Sequence, residues 1–166
     1  MFYSSWNENA TCKNAKRLFR QYKGWKEEVS HLKLETSLSA IQYDGMPSSQ
    51  TNRNGTEEAL IQQISDLDDQ RYKLEHQIVM VNSTIDVMGE PTEQAYQLAT
   101  LLRLRYIERW KVVKCCQQLA TLFGTDDGSN FVSESKFHRD EREALLLFTR
   151  IYPNRDQIIV KINDPI

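Results

Sequence analysis

The longest regular feature of the sequence is an apolar heptad pattern in its first half. Apolar or neutral residues alternate at three- and four-residue spacing over residues 15–32 and again over residues 60–88, where Arg71 is the only charged seam residue. A narrow stripe of this spacing runs along one side of a helix and has to be covered by a second helix. The pattern therefore predicts an antiparallel coiled-coil hairpin over residues 1–89, with a polar loop at residues 43–56. Arg71 either snorkels from the seam or fixes its register.

Broader helical stripes follow this hairpin. Gly89 suits the end of a helix, and the apolar spacing beyond it predicts helices over residues 91–109, 112–124 and 134–151, the last capped by Ser133. Stripes of this width face the core of a compact domain. The predicted fold is all-α, in three parts: a helical hairpin at residues 1–89, a compact domain at residues 90–152 and a tail at residues 153–166 that is either a short strand or disordered.

The charge of the chain is nearly balanced but unevenly distributed. The formal net charge is −2 over 166 residues, yet an acidic middle at residues 41–100 separates basic segments at residues 1–40 and 101–155. Only this distribution favours a nucleic-acid partner. The sequence has no apolar run long enough for a membrane span and no secretion signal. We therefore expect a cytoplasmic protein without membrane contact, and three cysteines without CxxC spacing fit a reducing compartment.

No constellation of catalytic or metal-binding residues stands out. The histidines at positions 31, 76 and 138 are far apart, and none lies four residues from another His or from a Cys. His138 and Asp140 lie close to Ser133 and Ser135, but without the strand-turn-helix elbow and oxyanion loop of a hydrolase. A Gly-rich phosphate loop is also missing. The sequence thus predicts a protein that is not an enzyme and that has no cofactor, metal or catalytic site.

The segment around Gly124 favours a helix-turn-helix. In "VVKCCQQLATLFG", small Ala120 allows close approach of a second helix and Gly124 permits a sharp exit. In "VSESKFHRDEREALLLF", the spacing predicts a buried face formed by Phe137, Ala144, Leu145 and Phe148, with Glu141 on the same side. The polar and basic residues of the first half are the candidate DNA-binding residues: Ser133, Ser135, Lys136, His138, Arg139 and Arg142. The interleaved acidic residues leave a solvated surface as the alternative.

Three stretches resemble a known family. "LLRLRYIERW" from Leu101, "LATLFG" and "VSESKFHRDEREALLLF" are together similar to the C-terminal domain of phage and prophage late-gene transcription regulators of the ArpU and RinA type. "GMPSSQTNRNG" resembles the Met-Pro, Gly/Ser-rich loop that interrupts the N-terminal hairpin of that family. The resemblance implies a sigma-factor-like helix-turn-helix that activates late promoters.

The resemblance also implies roles for individual residues. Leu104, Tyr106 and Ile107 would lie in the core, and Leu119, Ala120 and Gly124 would form the first helix and the turn. The reading helix would carry Ser133, Ser135, Lys136, His138 and Arg139. One departure is the segment "TDDGSNFV", which makes the turn longer than in the family and adds two aspartates. The longer turn and its two aspartates would alter the docking of the second helix on DNA or abolish DNA binding.

We therefore expect a phage-type regulator that binds double-stranded DNA in the host bacterium, as a homodimer through the hairpin and in possible contact with host RNA polymerase. The basic side of the first helix, with Lys13, Lys16, Arg17, Arg20, Lys23 and Lys26, would either contact phosphates or pair with the acidic second helix. One alternative is a small terminase subunit, which would assemble into a ring. The other is a coiled-coil adaptor that binds protein and touches no DNA.

Overall fold

The computed structural model describes residues 5–45 and 54–162, and these residues form an all-α fold. The five helices are α1 (Glu8–Asp44), α2 (Asn54–Met88), α3 (Glu93–Leu102), α4 (Val112–Phe123) and α5 (Glu134–Ile151). A π-helical turn at Arg103–Ile107 follows α3 directly, and a 3-10 turn at Arg155–Gln157 follows α5. The predicted fold class is confirmed. The predicted loop at residues 43–56 lies mostly outside the described residues, and its ends belong to α1 and α2.

The chain divides into two compact units. One comprises Met1–Gln21 with Met80–Ile166, and the other comprises Tyr22–Val79. The outer ends of the two long helices belong to the larger unit, where Ala15 and Ile85 are fully buried. The domain boundary at residue 89 stays a prediction.

The smaller unit contains the middle of α1 and most of α2. Lys33 Nζ lies 3.2 Å from Glu75 Oε1, and the Tyr43 hydroxyl donates to Glu57 Oε1 at 3.0 Å. Because the partner number in α2 falls as the position in α1 rises, the two segments run antiparallel. The Arg71 guanidinium lies 3.2 Å from Asp68 on the same helix and remains about a third exposed, which is how a snorkelling side chain behaves.

The core of the larger unit is built from α3, α4 and α5, which contact one another, together with the outer ends of α1 and α2. The Phe19 ring stacks on Tyr106 with centroids 4.7 Å apart and contacts Phe148 at 4.9 Å. Gly89 allows α3 to approach closely, because a Cβ at this position would lie 3.1 Å from the Ala99 Cβ. The break between α2 and α3 therefore favours glycine, because a side chain there would have to displace Ala99 slightly.

The described residues after α5 lie against the start of α1. Ile158 is buried. The backbone of Val160 makes two hydrogen bonds: Asn7 N, just before α1, donates to Val160 O at 2.7 Å, and Val160 N donates to the Thr11 hydroxyl in α1 at 3.1 Å. An isolated bridge joins Trp6 and Lys161. The described part of the predicted tail is therefore docked on α1, with one bridge and no regular strand.

Candidate nucleic-acid interface

The start of α5 is fixed by its own cap. The Ser133 hydroxyl accepts a hydrogen bond from Lys136 N at 3.3 Å, and Glu134 places a carboxylate in the first turn, where the helix dipole favours negative charge. The helix begins at Glu134 and ends at Ile151, as predicted. Ser133 thus has a structural role at the N-terminus of the helix.

The two halves of α5 differ sharply in burial. Phe137, Ala144, Leu145 and Phe148 are at most 1% exposed, which confirms the predicted buried face. Leu146 and Thr149 are also buried, so the second half of the helix is enclosed on most sides. The first two turns keep a solvent-facing side. The first half therefore offers the wider solvent-facing side of α5 to an external partner.

Three predicted DNA-binding residues lie together on the solvent side. Ser135 is exposed, and the side chains of His138 and Arg139 are 58% and 74% exposed. We call these three residues the reading face. Position 135 is three residues from position 138 and four from position 139. Their side chains therefore emerge on one side of the helix within about one turn. They offer a hydroxyl, an imidazole and a guanidinium to a ligand.

The two other basic candidates lie near carboxylates of other elements, whereas Arg139 lies 3.9 Å from Asp140 of its own helix. Lys136 Nζ lies 3.8 Å from the fully exposed carboxylate of Asp126, in the turn before α5. Arg142 Nη2 donates to Glu8 Oε2 at 2.6 Å, in the first turn of α1. Sequence spacing cannot detect either partner, because both lie on other elements. The available cationic surface of α5 is consequently narrower than the sequence suggests.

The long turn between α4 and α5 has a definite structure. Gly124 ends α4 with φ +74° and ψ −177°, a conformation that is almost restricted to glycine. Thr125 donates to Ser129 O at 2.7 Å, and Val132 N donates to Cys116 O at 3.2 Å, which ties the end of the turn to α4. The Ser129 and Thr125 hydrogen bonds hold the pKa of Asp127 below its usual value. The side chain of Asp127 is therefore anionic at neutral pH.

A buried carboxylate connects α5 to its neighbours, and the sequence alone does not predict its partners. The Glu141 side chain is 7% exposed; Tyr106 donates to Oε1 at 2.8 Å and Lys16 to Oε2 at 3.0 Å. His138 Nδ1 lies 3.6 Å from Oε2. Burial raises the pKa of this carboxyl, but the hydrogen bonds from Tyr106 and Lys16 outweigh it, and the net pKa is lowered. The one feature of the sequence that indicates this network is the position of Glu141 on the same helix face as Phe137.

A cleft of about 330 Å³ lies beside the reading face, between α3, α4 and α5. Leucines of α3 and α4 and Val132 form its apolar lining, while Lys136 and Arg139 lie among its polar residues. Asp140 also lines the cleft. Burial raises the pKa of this carboxyl, against the lowering effect of Lys136 and Arg139. The cleft therefore combines an apolar wall with charges of both signs.

No family model, curated protein or solved structure matches the chain. Among residues 5–45 and 54–162, no cluster of three or more His, Cys, Asp or Glu side chains is arranged to hold a metal ion. None of the helices in that part of the chain has the length and apolar character needed to cross a membrane.

Proposed function

We propose that the chain is a DNA-binding transcription regulator of the phage late-gene type, with α4 and α5 as its helix-turn-helix. The observation that carries this proposal is the contrast within α5. Its second half is enclosed in the core, while its first two turns present Ser135, His138 and Arg139 to solvent. In a helix-turn-helix, the N-terminal residues of the second helix contact base edges in the major groove.

The chemistry of the reading face fits duplex DNA. An arginine can donate two hydrogen bonds to guanine O6 and N7, and a serine hydroxyl can donate to either a base or a phosphate. The rigid cap at Ser133 and the buried Phe137 anchor the same turns, so these side chains would be held in place before binding. Such preorganisation reduces the entropy lost on association.

Sequence selection tests this function. Sheared DNA from the genome that carries the gene is passed over immobilised full-length protein, and the retained fragments are sequenced. The proposal predicts that a small set of fragments sharing a common element is retained and released by salt. Uniform recovery of the genome at low salt, with no enriched element, would contradict a sequence-reading role.

A second candidate function is supported by a different surface. Leu34, Leu38 and Ile41 on α1 are 58%, 57% and 68% exposed and occupy one face of the helix at spacing i, i+4, i+7. This face lies opposite the side on which Leu32 is buried. Such a stripe suits helix packing with another protein or a second copy, as in a coiled-coil adaptor or a hairpin-mediated homodimer.

The two candidates differ in what they bind and can be separated directly. Replacing Leu34, Leu38 and Ile41 with Gln is expected to change the molar mass in solution if the stripe joins two copies, and to leave DNA affinity per monomer nearly unchanged. An adaptor without DNA-binding function predicts no salt-dependent association with any duplex. A particle of eight or more subunits would instead favour a terminase-like ring.

A further inference from the structure

The first three turns of α1 lie against α5 in the larger unit. Lys16 donates to Glu141 at 3.0 Å, and Glu8 accepts a hydrogen bond from Arg142 at 2.6 Å. The Cys12 thiol also lies 3.8 Å from the carbonyl oxygen of Arg142. Contacts at three successive turns fix this part of α1 alongside α5. The basic start of α1 is therefore a neighbour of the proposed DNA-binding helix.

This part of α1 carries an exposed row of cations. Lys13, Arg17 and Arg20 follow one another at i, i+4, i+7 and are all exposed, so they form a stripe along one side of the helix. We call these three residues the cationic stripe. With Lys16, Asn9 and Cys12 they line a shallow depression of about 280 Å³ that contains four cationic side chains and no carboxylate.

The nearby carboxylates do not neutralise the cationic stripe. Glu8 is paired with Arg142, and Glu141 is buried and paired with Lys16. Within residues 5–45 and 54–162, Lys13, Arg17 and Arg20 form no ion pair. Ion pairs on a protein surface are common and contribute little to stability. Three unpaired cations on successive turns of one helix instead create a local positive potential that attracts polyanions.

The cationic stripe is linked to the reading face through Glu141. Lys16 Nζ and His138 Nδ1 both approach Glu141 Oε2, at 3.0 and 3.6 Å, so the positive end of Lys16 on α1 lies within about 7 Å of His138 on α5. Lys13, Arg17 and Arg20 line the same depression as Lys16. The cationic stripe therefore lies next to a lysine that is itself close to the reading face.

We infer that the cationic stripe binds the phosphate backbone of the same DNA duplex that the reading face contacts. This inference rests on the proposed function and names a second element of the interface that lies outside the helix-turn-helix. Contacts of this kind supply affinity without sequence information, and each one adds to the salt dependence of binding. The stripe would thus set the strength of binding, and the reading face its sequence preference.

The test is a salt titration of the full-length protein with a duplex of random sequence. The variant Lys13→Gln, Arg17→Gln, Arg20→Gln is compared with the parent, and with a control that removes three cations of the smaller unit: Lys33→Gln, Arg71→Gln, Lys73→Gln. If all three residues contact phosphate, the slope of log affinity against log salt is expected to become shallower by about 2 to 3. Affinity at low salt should fall by about tenfold or more, because a phosphate that is no longer contacted keeps its counterion and the favourable release of that ion is lost. The control should keep the parental slope.

A charge-conserving variant, Lys13→Arg, Arg17→Lys, Arg20→Lys, changes the same three side chains but keeps their positive charges. It should therefore keep the parental slope, which separates the effect of charge from any effect of substitution on folding. A stripe variant with the parental slope would overturn the inference and leave the proposed function standing. Equal loss of slope in the stripe variant and in the control would also overturn it, because bulk charge would then explain the effect. A parent protein that binds no duplex at all would overturn the proposed function and, with it, the inference.

Discussion

Lys16 Nζ in α1 lies 3.0 Å from Glu141 Oε2 in α5, so an ion pair with a buried carboxylate joins two helices that are more than a hundred residues apart in sequence. The Tyr106 hydroxyl occupies the other carboxylate oxygen at 2.8 Å. This network attaches the start of α1 to the proposed DNA-binding helix. Its integrity therefore bears on both the stability of the larger unit and the position of the cationic stripe.

Replacing Glu141 with Gln should destabilise the protein. The substitution keeps the size of the side chain but removes the charge that Lys16 and Tyr106 contact, and hydrogen bonds to a charged group contribute about 1.5 to 3 kcal/mol. We expect the free energy of unfolding in urea to fall by about this amount. Glu90→Gln is the control, because Glu90 is exposed and such surface changes usually stay within about 0.5 kcal/mol. Equal stability of the two variants would show that the network contributes nothing.

The same carboxylate predicts a pH dependence with a definite sign. The pKa of Glu141 in the folded protein lies below its ordinary value of 4.5, so between these two pKa values the unfolded chain binds more protons. The stabilisation is complete above pH 4.5 and is lost as pH falls through the folded pKa. The difference in unfolding free energy between the parent and Glu141→Gln should therefore be constant near neutral pH and shrink below pH 4.5. A difference that stays constant or grows on acidification would contradict the lowered pKa.

Phe137 anchors the first half of α5, and its side chain is fully buried. Phe137→Ala should lower the free energy of unfolding by about 3 to 5 kcal/mol, through lost burial and the cavity left behind. Leu122→Ala in α4 is a suitable control because Leu122 is 52% exposed, and it should cost far less. Chemical denaturation with matched m-values provides the measurement. A small effect at position 137 would mean that the start of α5 is held in place by other contacts.

Two glycines provide a matched pair for backbone conformation. Gly124 has φ +74°, and no atom lies within 4 Å of where a Cβ would stand, so Gly124→Ala tests conformational strain without a steric clash. It should destabilise the protein by about 1 to 3 kcal/mol. Gly24 lies inside α1 with equally open surroundings, and Gly24→Ala should stabilise by about 0.5 to 1 kcal/mol because alanine favours helices. Thermal unfolding that shifts both variants in the same direction would contradict this assignment.

The sequence predicts the helices well because their signals are local. Heptad spacing, the Ser133 cap and Gly124 can each be recognised from a few neighbouring residues. Helix α5 begins and ends where this pattern predicts. The buried face of α5 follows from the same periodicity. The division into units is harder to predict from the sequence. It depends on contacts such as that between Phe19 in α1 and Phe148 in α5, and residue spacing carries no information on contacts between residues so far apart in sequence.

The candidate site was only partly predictable for the same reason. Spacing correctly identifies the solvent side of α5, with Ser135, His138 and Arg139. It cannot show that Lys136 faces Asp126 or that Arg142 is paired with Glu8, because both acidic partners come from other elements. The DNA-binding role itself remains a prediction that comes from the residue types and from the family resemblance.

The most direct test of the central claim compares a selected duplex with a random one. The affinity of each is measured by fluorescence anisotropy for the parent, for the variant Ser135→Ala, Arg139→Ala, and for a control, Lys73→Ala, Ser83→Ala, that removes one cation and one hydroxyl elsewhere. We predict that the parent and the control prefer the selected duplex, and that the reading-face variant loses about 1 to 3 kcal/mol of this preference while it still binds the random duplex. An unchanged preference in that variant would contradict the assignment of DNA reading to the first half of α5.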